Sequence, residues 1–508
     1  MTKKKILKWL KYFALLNFIL LIISAFLVNR ERKRMYGGLT KVVDATQFAP
    51  YRGSFAIKNV AILLPKGDSL LPNRTILIEN GLISAIDTVL TLPKETKILD
   101  GTGKYLIPGL IDSHVHMFQS KNDLLLYVAN GVTHIREMIG TEEHLNWKEA
   151  IKNGGIGPEL YVASPRLASF GFWEGLFMSY TQGYRNVTSA STAKNKVAKY
   201  IKKGYDGIKI YSQLNKESYL AISEIEDIDI VGHIPIHVNL KDVWNGNQRE
   251  VAHFEEIMNG LLREFGNPKL RDNKEAFFNF IDERSDAVAQ ALLKNDIAVT
   301  SVLWGWHTHL RQKEDLKGLL SEVELEYENP GISEGIKYIP EGGLGWLPEF
   351  NRVRYPEGLS EESKNKRKLF WSIYAEACEK VGKNLHDRGV KILAGTDNNL
   401  SVKVPGFSLH QELQSLHKMG MSPSEVLRSA TATPSEWLNN NAGIIATGYK
   451  ANLVLLDKNP LENIEHTKSI HTVIAQGKVF DRVLLDNILD AVKRANDASR
   501  KVDISSYN

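Results

Sequence analysis

Between residues 105 and 440 the chain alternates short apolar runs with longer stretches whose apolar positions recur at helical spacing. The runs span 107–116, 132–138, 160–164, 207–211, 228–235, 250–254, 297–303 and 390–397. Bounded by turn signals, they read as strands covered on both faces. Eight such β-then-α units predict an α/β fold, a (β/α)8 TIM-like barrel over 105–439. In that architecture the reactive groups gather where the strands end, at their C-terminal side.

The flanks carry a different pattern. Runs at 55–62, 75–83, 451–457 and 471–479 read as strands joined by turns. Both ends of the chain, 50–104 and 440–485, are therefore expected to build one small composite β-sandwich beside the barrel. Residues 486–508 read as a short polar helix and tail. Two insertions interrupt the repeat. The longer, 304–370, holds Trp304, Trp306 and Trp346, with Trp371 just beyond it. Its middle is charged, from Arg311 to Glu328, with Gly-rich turns at Gly342-Gly343 and Gly345. It is expected to cover the substrate, the other reading being a solvated excursion that contacts an oligomer partner. The shorter, 171–191, is rich in Phe, Trp and Tyr and is expected to line the same mouth.

Ionisable residues fall where the strands end. His114 and His116 share a face of the first strand, because alternate side chains point the same way, and could grip one cation together. Lys209 lies in the apolar run Gly207-Ile208-Lys209-Ile210-Tyr211, where a lysine is costly. His233, His253 and Asp397 close the fifth, sixth and eighth runs. A His-x-His pair alone is weak, since two histidines can simply fill a polar core; the shared placement of all these groups is more specific.

The ordered set resembles the amidohydrolase superfamily, within it the prolidase-like and imidazolonepropionase-like branch. It is carried by Pro108-Gly109-Leu110-Ile111-Asp112-Ser113-His114-Val115-His116, Ile208-Lys209-Ile210-Tyr211, Val231-Gly232-His233-Ile234-Pro235, Ala252-His253-Phe254-Glu255-Glu256 and Ala394-Gly395-Thr396-Asp397. Pro405 to Leu413 and Ser429 to Pro434 match its final helices. The resemblance covers roughly 55–485. It implies one or two Zn2+ ions, or another divalent metal. His114, His116 and Asp397 would hold the first, and a carbamylated Lys209 would bridge to a second held by His233 and His253. A buried lysine is more readily neutral, as carbamylation requires, and the product offers two oxygens. Two departures stand out. Ala252 replaces the Glu that usually precedes the sixth-strand His, leaving Glu255 or Glu256 to supply that carboxylate. His237, close after His233, is an alternative ligand.

The expected chemistry is hydrolysis of a C–N bond in a small-molecule substrate: an amide, a peptide or a cyclic amide. Asp397 would move the proton from water to the leaving amine, and Tyr211 would donate to the developing oxyanion or simply pack at the rim. A lactonase or deaminase on the same site, or a non-catalytic scaffold that kept the fold, are the alternatives. Arg136 and Arg166 are candidates for a substrate carboxylate. His307, His309, His386, His410 and His417 read as loop or helix residues.

Residues 12–28 form an uncharged apolar run at the short limit for crossing a bilayer. Lys3, Lys4, Lys5, Lys8 and Lys11 precede it, and Arg30, Arg32, Lys33 and Arg34 follow. No small-x-small cleavage site follows, so 1–36 reads as a membrane anchor, and the slight excess of leading charge places the catalytic part in the periplasm or otherwise outside the cytoplasm. The segment also explains the net charge of +5 on 508 residues: it carries nine Lys or Arg and one Glu, leaving 55 basic and 58 acidic groups elsewhere. The basic balance therefore does not point to nucleic acid. The single cysteine, Cys378, excludes an intrachain disulfide. A homo-oligomer is compatible with all of this.

Overall fold

The structure, a computed structural model, describes residues 3–335 and 344–507. Every apolar run of the barrel region overlaps a strand: β1 (Leu110–Val115), β2 (Val132–Glu137), β3 (Glu159–Val162), β4 (Gly207–Ile210), β5 (Asp229–Gly232), β6 (Gln248–Val251), β7 (Ala298–Thr300) and β8 (Ile392–Leu393), with β3 and β6 starting ahead of their runs. Neighbours pair in parallel, but in two ladders. One is β1-β2-β3; the other runs from two short segments, Arg185–Asn186 and Leu167–Ala168, through β4-β5-β6-β7-β8. A parallel bridge, Ala163 to Gly207, links the ladders on one side, and Ser113 N donates to Ala394 O at 2.9 Å on the other. Helices connect the strands, as parallel pairing requires.

The first apolar run divides at Gly109. Tyr105–Pro108 joins the flanking sheet, and only Leu110–Val115 enters the parallel ladder. A Cβ on Gly109 would lie 2.2 Å from Thr133 Oγ1, so the backbone can pass that close to β2 only without a side chain. The flanks form one continuous nine-stranded sheet built from both chain ends, rather than the two separate layers expected of a sandwich. Continuity comes from Tyr105–Pro108, which pairs with Leu453–Leu456 on one edge and Phe55–Leu63 on the other. The buried face of this sheet gathers Phe55, Ile57, Ile76, Ile78, Leu453 and Ile474 into a core of its own.

Helix α1 (Lys3–Met35) projects from the body with its apolar residues exposed. Helix α2 (Phe172–Gln182) occupies the insertion after β3, and α3 (Phe254–Glu264) follows β6. The long insertion is more structured than its charge suggests. Leu319, Leu320, Leu325, Trp346 and Leu347 pack with Val402 and Val404 from the loop after β8, and with Ile504 and Tyr507 of the tail. Gly342 and Gly343 lie outside the described residues; Gly345 has φ +134°, a turn conformation open to glycine. The terminal region also differs from a polar tail: Arg482–Asp497 is an amphipathic helix that buries Leu485, Ile488 and Val492.

Trp346 is 1% exposed in that cluster. Trp346→Ala should lower stability by about 3–5 kcal/mol, read as a lower thermal midpoint, because a large buried side chain leaves a cavity beside the loop that carries Lys403. An unchanged midpoint would mean that the insertion is not part of the folded core.

Candidate metal centre

Five strand ends converge. His116 Nε2 lies 2.8 Å from Asp397 Oδ1, and His114 Nε2 lies 3.7 Å from the same oxygen. Lys209 Nζ stands 3.4 Å from His114 Nε2. The His253 ring is centred 4.5 Å from that of His114 and 5.3 Å from that of His233, whose other face stacks on Tyr211 at 4.4 Å. All six proposed ligands and Tyr211 thus meet at one place. His253 and Asp397 both have left-handed backbones, φ +70° and +53°. That conformation is costly for histidine, and it turns the chain sharply out of the strand while the side chain stays at the cluster.

Asp112, Asn398, Asn399 and Glu137, none of them a candidate site residue in the sequence, hold these groups together with Glu256. Asp112 accepts from His114 N, Thr396 N and Thr396 Oγ1, tying the end of β1 to the chain beyond β8. Asn398 Oδ1 accepts from His116 N, and Asn399 Nδ2 donates to His116 O. Glu137 accepts from Met117 N and Ile139 N and places a carboxylate 3.9 Å from His116 Nδ1. Glu256 sits 2.9 Å from His233 Nδ1 and accepts from Ile234 N at 3.1 Å. The carboxylate missing before His253 is therefore not replaced for that residue: Glu256 serves His233 instead. Glu255 turns to the cavity above, where burial and the neighbouring Glu256 push its carboxyl up to about 8. Among the partners at this site, Thr396 lies 284 residues along the chain from Asp112, and His116 lies 282 and 283 residues from Asn398 and Asn399.

Electrostatics follow from burial. Burial holds the His114 and His253 imidazoles well below their ordinary pKa, and nearby Lys209 and the other histidines add to the effect. The Lys209 ammonium is brought down to about 8 by burial, against the pull of Glu250 and Asp397. Burial opposes ionisation of Asp397, yet Lys403, with Nζ at 3.6 Å, and His116 hold it well below the usual carboxylate range. His114 and His253 thus present neutral lone pairs beside an ionised carboxylate. The donor atoms of His114, His116 and Asp397 lie within 4.8 Å of one another. The Nδ1 atoms of His114, His116 and His253 are buried without a hydrogen-bond partner among the described residues. Imidazole nitrogens with an anionic oxygen are the donor set a divalent cation takes, so these residues fit one.

Several expectations end elsewhere. His237 is exposed and outside the cluster, so it is not positioned as the alternative ligand. Arg136 is fully buried, stacked on Trp437 and 3.6 Å from Glu250, out of reach of a substrate carboxylate. Arg166 is better placed, its guanidinium over the Tyr184 and Tyr211 rings. His307 pairs with Glu379, His386 with Glu425, His410 with Thr467 and His417 with the Met421 carbonyl. His309 does reach the site. With Trp306, Arg352, Lys403, Glu255 and Asp397 it lines a cavity of about 240 Å³, so the long insertion forms one wall. The aromatic side chains of α2 do not line this mouth; they face outward.

The family model described as "Amidohydrolase family" matches residues 362–480. The imidazolonepropionase of Brevibacillus brevis is 23% identical over 436 residues, covering 81% of this chain and 91% of that protein. The ochratoxinase of Aspergillus niger is 23% identical over 459 residues, covering 82% and 85%. Among solved structures, a bottromycin amidohydrolase superposes with a TM-score of 0.66 at 19% identity, over 92% of this chain and 96% of that one. The chain thus has the amidohydrolase-type α/β fold, and the resemblance to the amidohydrolase superfamily read from its motifs is borne out.

Glu256→Gln keeps the shape but removes the anion beside His233. Zinc affinity should fall about 10- to 100-fold with an unchanged circular dichroism spectrum, as for other carboxylates that orient a ligating histidine. Unaltered affinity in a titration would place the cation away from His233.

Proposed function

We propose that this protein is a metal-dependent hydrolase of the amidohydrolase type, cleaving a carbon–nitrogen bond in a small substrate. The observation that carries the reading is the buried set of His114, His116 and Asp397 at the strand ends, opening on the cavity walled by Trp306 and His309. In this reading the two ladders close as one eight-stranded barrel over 105–439. The composite sheet unit of 50–104 and 440–485 stands beside it, ahead of the terminal segment 486–508. Closure is supported by the Ala163–Gly207 bridge and the Ser113-to-Ala394 hydrogen bond. Residues 1–36 act as a membrane anchor with the catalytic part outside the cytoplasm, supported by the exposed apolar surface of α1 and the charges before it.

His114, His116 and Asp397 would hold one divalent ion, zinc being the best match to the donors. Lys209, His233 and His253 would hold a second. Such an ion supplies an activated water and a Lewis acid for the scissile carbonyl. The residues do the rest. Asp397, ionised across the physiological range, takes the proton from the attacking water and delivers it to the leaving nitrogen. The Tyr211 hydroxyl, its ring fixed against His233, donates to the carbonyl oxygen as negative charge develops. Glu256 keeps the His233 ring oriented, and Glu137 holds the backbone just after His116 by accepting from Met117 N. Arg166 offers a cation for a substrate carboxylate beside Tyr211.

Lys209 joins the ligand set by reacting with carbon dioxide: the neutral Nζ forms an N–C bond and loses a proton, leaving a carbamate with two oxygens. Only the neutral amine reacts. Because its pKa in the folded chain is about 8, below the ordinary lysine value, the reactive fraction should climb as pH rises from 7 to 9. With labelled bicarbonate, a carbon-13 carbamate resonance should grow over that range and be absent in Lys209→Met. No such resonance at any pH would remove Lys209 from the ligand set.

The direct test joins metal content to turnover on Xaa-Pro dipeptides, N-acyl amino acids and lactones. One to two zinc ions per chain are expected, with amide hydrolysis lost in chelator and restored by zinc. Asp397→Asn should lose turnover by several orders of magnitude while remaining folded. Cleavage of lactones alone would favour the lactonase alternative, and neither metal nor turnover would leave a scaffold.

A further inference from the structure

Helix α2 is amphipathic in the wrong sense for water. Phe172, Leu176 and Tyr180, together with Trp173 and Phe177, occupy one face, as spacings of four residues require. Trp173 is 77% exposed and Phe177 63%. The opposite face lies on the protein. A Cβ on the buried Gly175 would come within 2.3 Å of Asn186 Nδ2, so the helix is seated as closely as glycine permits. Five large apolar side chains on one exposed helix face exceed the scattered surface residues of ordinary proteins.

The same helix touches the anchor. Tyr180 Oη donates to Ala25 O at 3.1 Å, and Arg32 donates to Tyr180 O at 2.8 Å. Ala25 lies three residues inside the end of the apolar run, so this contact sits about 5 Å below that end, where tyrosine and tryptophan collect at a bilayer surface. Arg32, Arg185 and Lys203 border the cleft between α1, α2 and the strand ends together with Glu143 and Glu142, which pairs with Lys203, so the two arginines are the groups that would meet lipid headgroups. Two routes lead inward from here. At the end of α1, Tyr36 stacks on Phe118 at 5.0 Å and Phe118 on His116 at 6.0 Å. At the end of α2, Arg166 donates to Gln182 O and lies over Tyr211, which stacks on His233. Between them is a cavity of about 410 Å³.

We propose that the exposed face of α2 lies in the surface of the same bilayer that α1 enters, with the cleft between these helices and the strand ends opening at that surface, so that the substrate is an amphiphilic amide drawn from the membrane. The membrane contact rests on the anchor reading of residues 1–36, and the substrate class on the hydrolase reading above.

The full chain is reconstituted in phosphatidylcholine–phosphatidylglycerol vesicles, with a fluorophore attached to Trp173→Cys, to Phe177→Cys or, as the reference, to Val89→Cys. Val89 is 83% exposed and the native Cys378 is buried. Lipids carrying a nitroxide near the headgroup should quench the two α2 labels about threefold or more above the reference, as expected for an apolar face sunk in the interface. Equal quenching, with the α2 labels as open to aqueous iodide as the reference, would overturn the membrane contact. In the same vesicles the unmodified enzyme should cleave long-chain N-acyl amino acids at rates set by their mole fraction in the bilayer, falling about tenfold on tenfold dilution with inert lipid, since the substrate partitions there. Preference for short, water-soluble acyl amides would overturn the lipid-substrate half while leaving the hydrolase intact. No cleavage of any amide would instead overturn the hydrolase reading and the substrate class with it, the depth result standing apart.

Discussion

Concentration of basic groups away from water is the constraint on which the rest of this structure depends. Lys209, His114 and His253 are buried within a few ångströms of one another, and a charge kept there costs several kcal/mol. The arrangement is tolerable when the imidazoles are neutral, the amine is readily deprotonated and one carboxylate, Asp397, carries the compensating charge. Neutral lone pairs converging on an anion make an unfavourable core and a good cation site.

Much of the surrounding architecture serves to hold that arrangement. Asp112 joins the chain ends beyond β1 and β8 through Thr396, and Asn398 and Asn399 lock the backbone around His116. The left-handed backbones of His253 and Asp397 are local costs that the packed strand ends sustain. Further out, the long insertion packs against the loop bearing Lys403 and against the C-terminal tail. A segment whose middle is strongly charged thereby becomes a wall of the cavity, through Trp306 and His309, rather than a solvated excursion.

The strands and the cluster were legible because both follow period and position. Each of the eight apolar runs overlaps a parallel strand, and five of those strands bring the ionisable cluster together near their ends. What escaped the sequence depended on partners far along the chain. Nothing near Gly109 announces that the run splits there; the reason is Thr133, which leaves no room for a side chain. Glu256 and Glu255 are adjacent in sequence, yet one orients His233 and the other faces the cavity, because helix geometry sends successive side chains in different directions. Arg136 sits at a strand end like a substrate-binding residue but is sealed against Trp437. The aromatic insertion after β3 was legible as composition but not as direction: the rings of α2 turn outward, toward the side from which α1 departs, while Tyr184 turns inward and packs on Tyr211.

The central claim is that the strand-end cluster holds a divalent metal through its histidines. X-ray absorption at the zinc edge of the zinc-loaded full chain tests it most directly. The account predicts a first shell of nitrogen and oxygen at about 2.0 to 2.1 Å, with the outer-shell scattering of two or more imidazoles and no sulfur. A shell of oxygen alone, or zinc that dialysis removes completely, would contradict it.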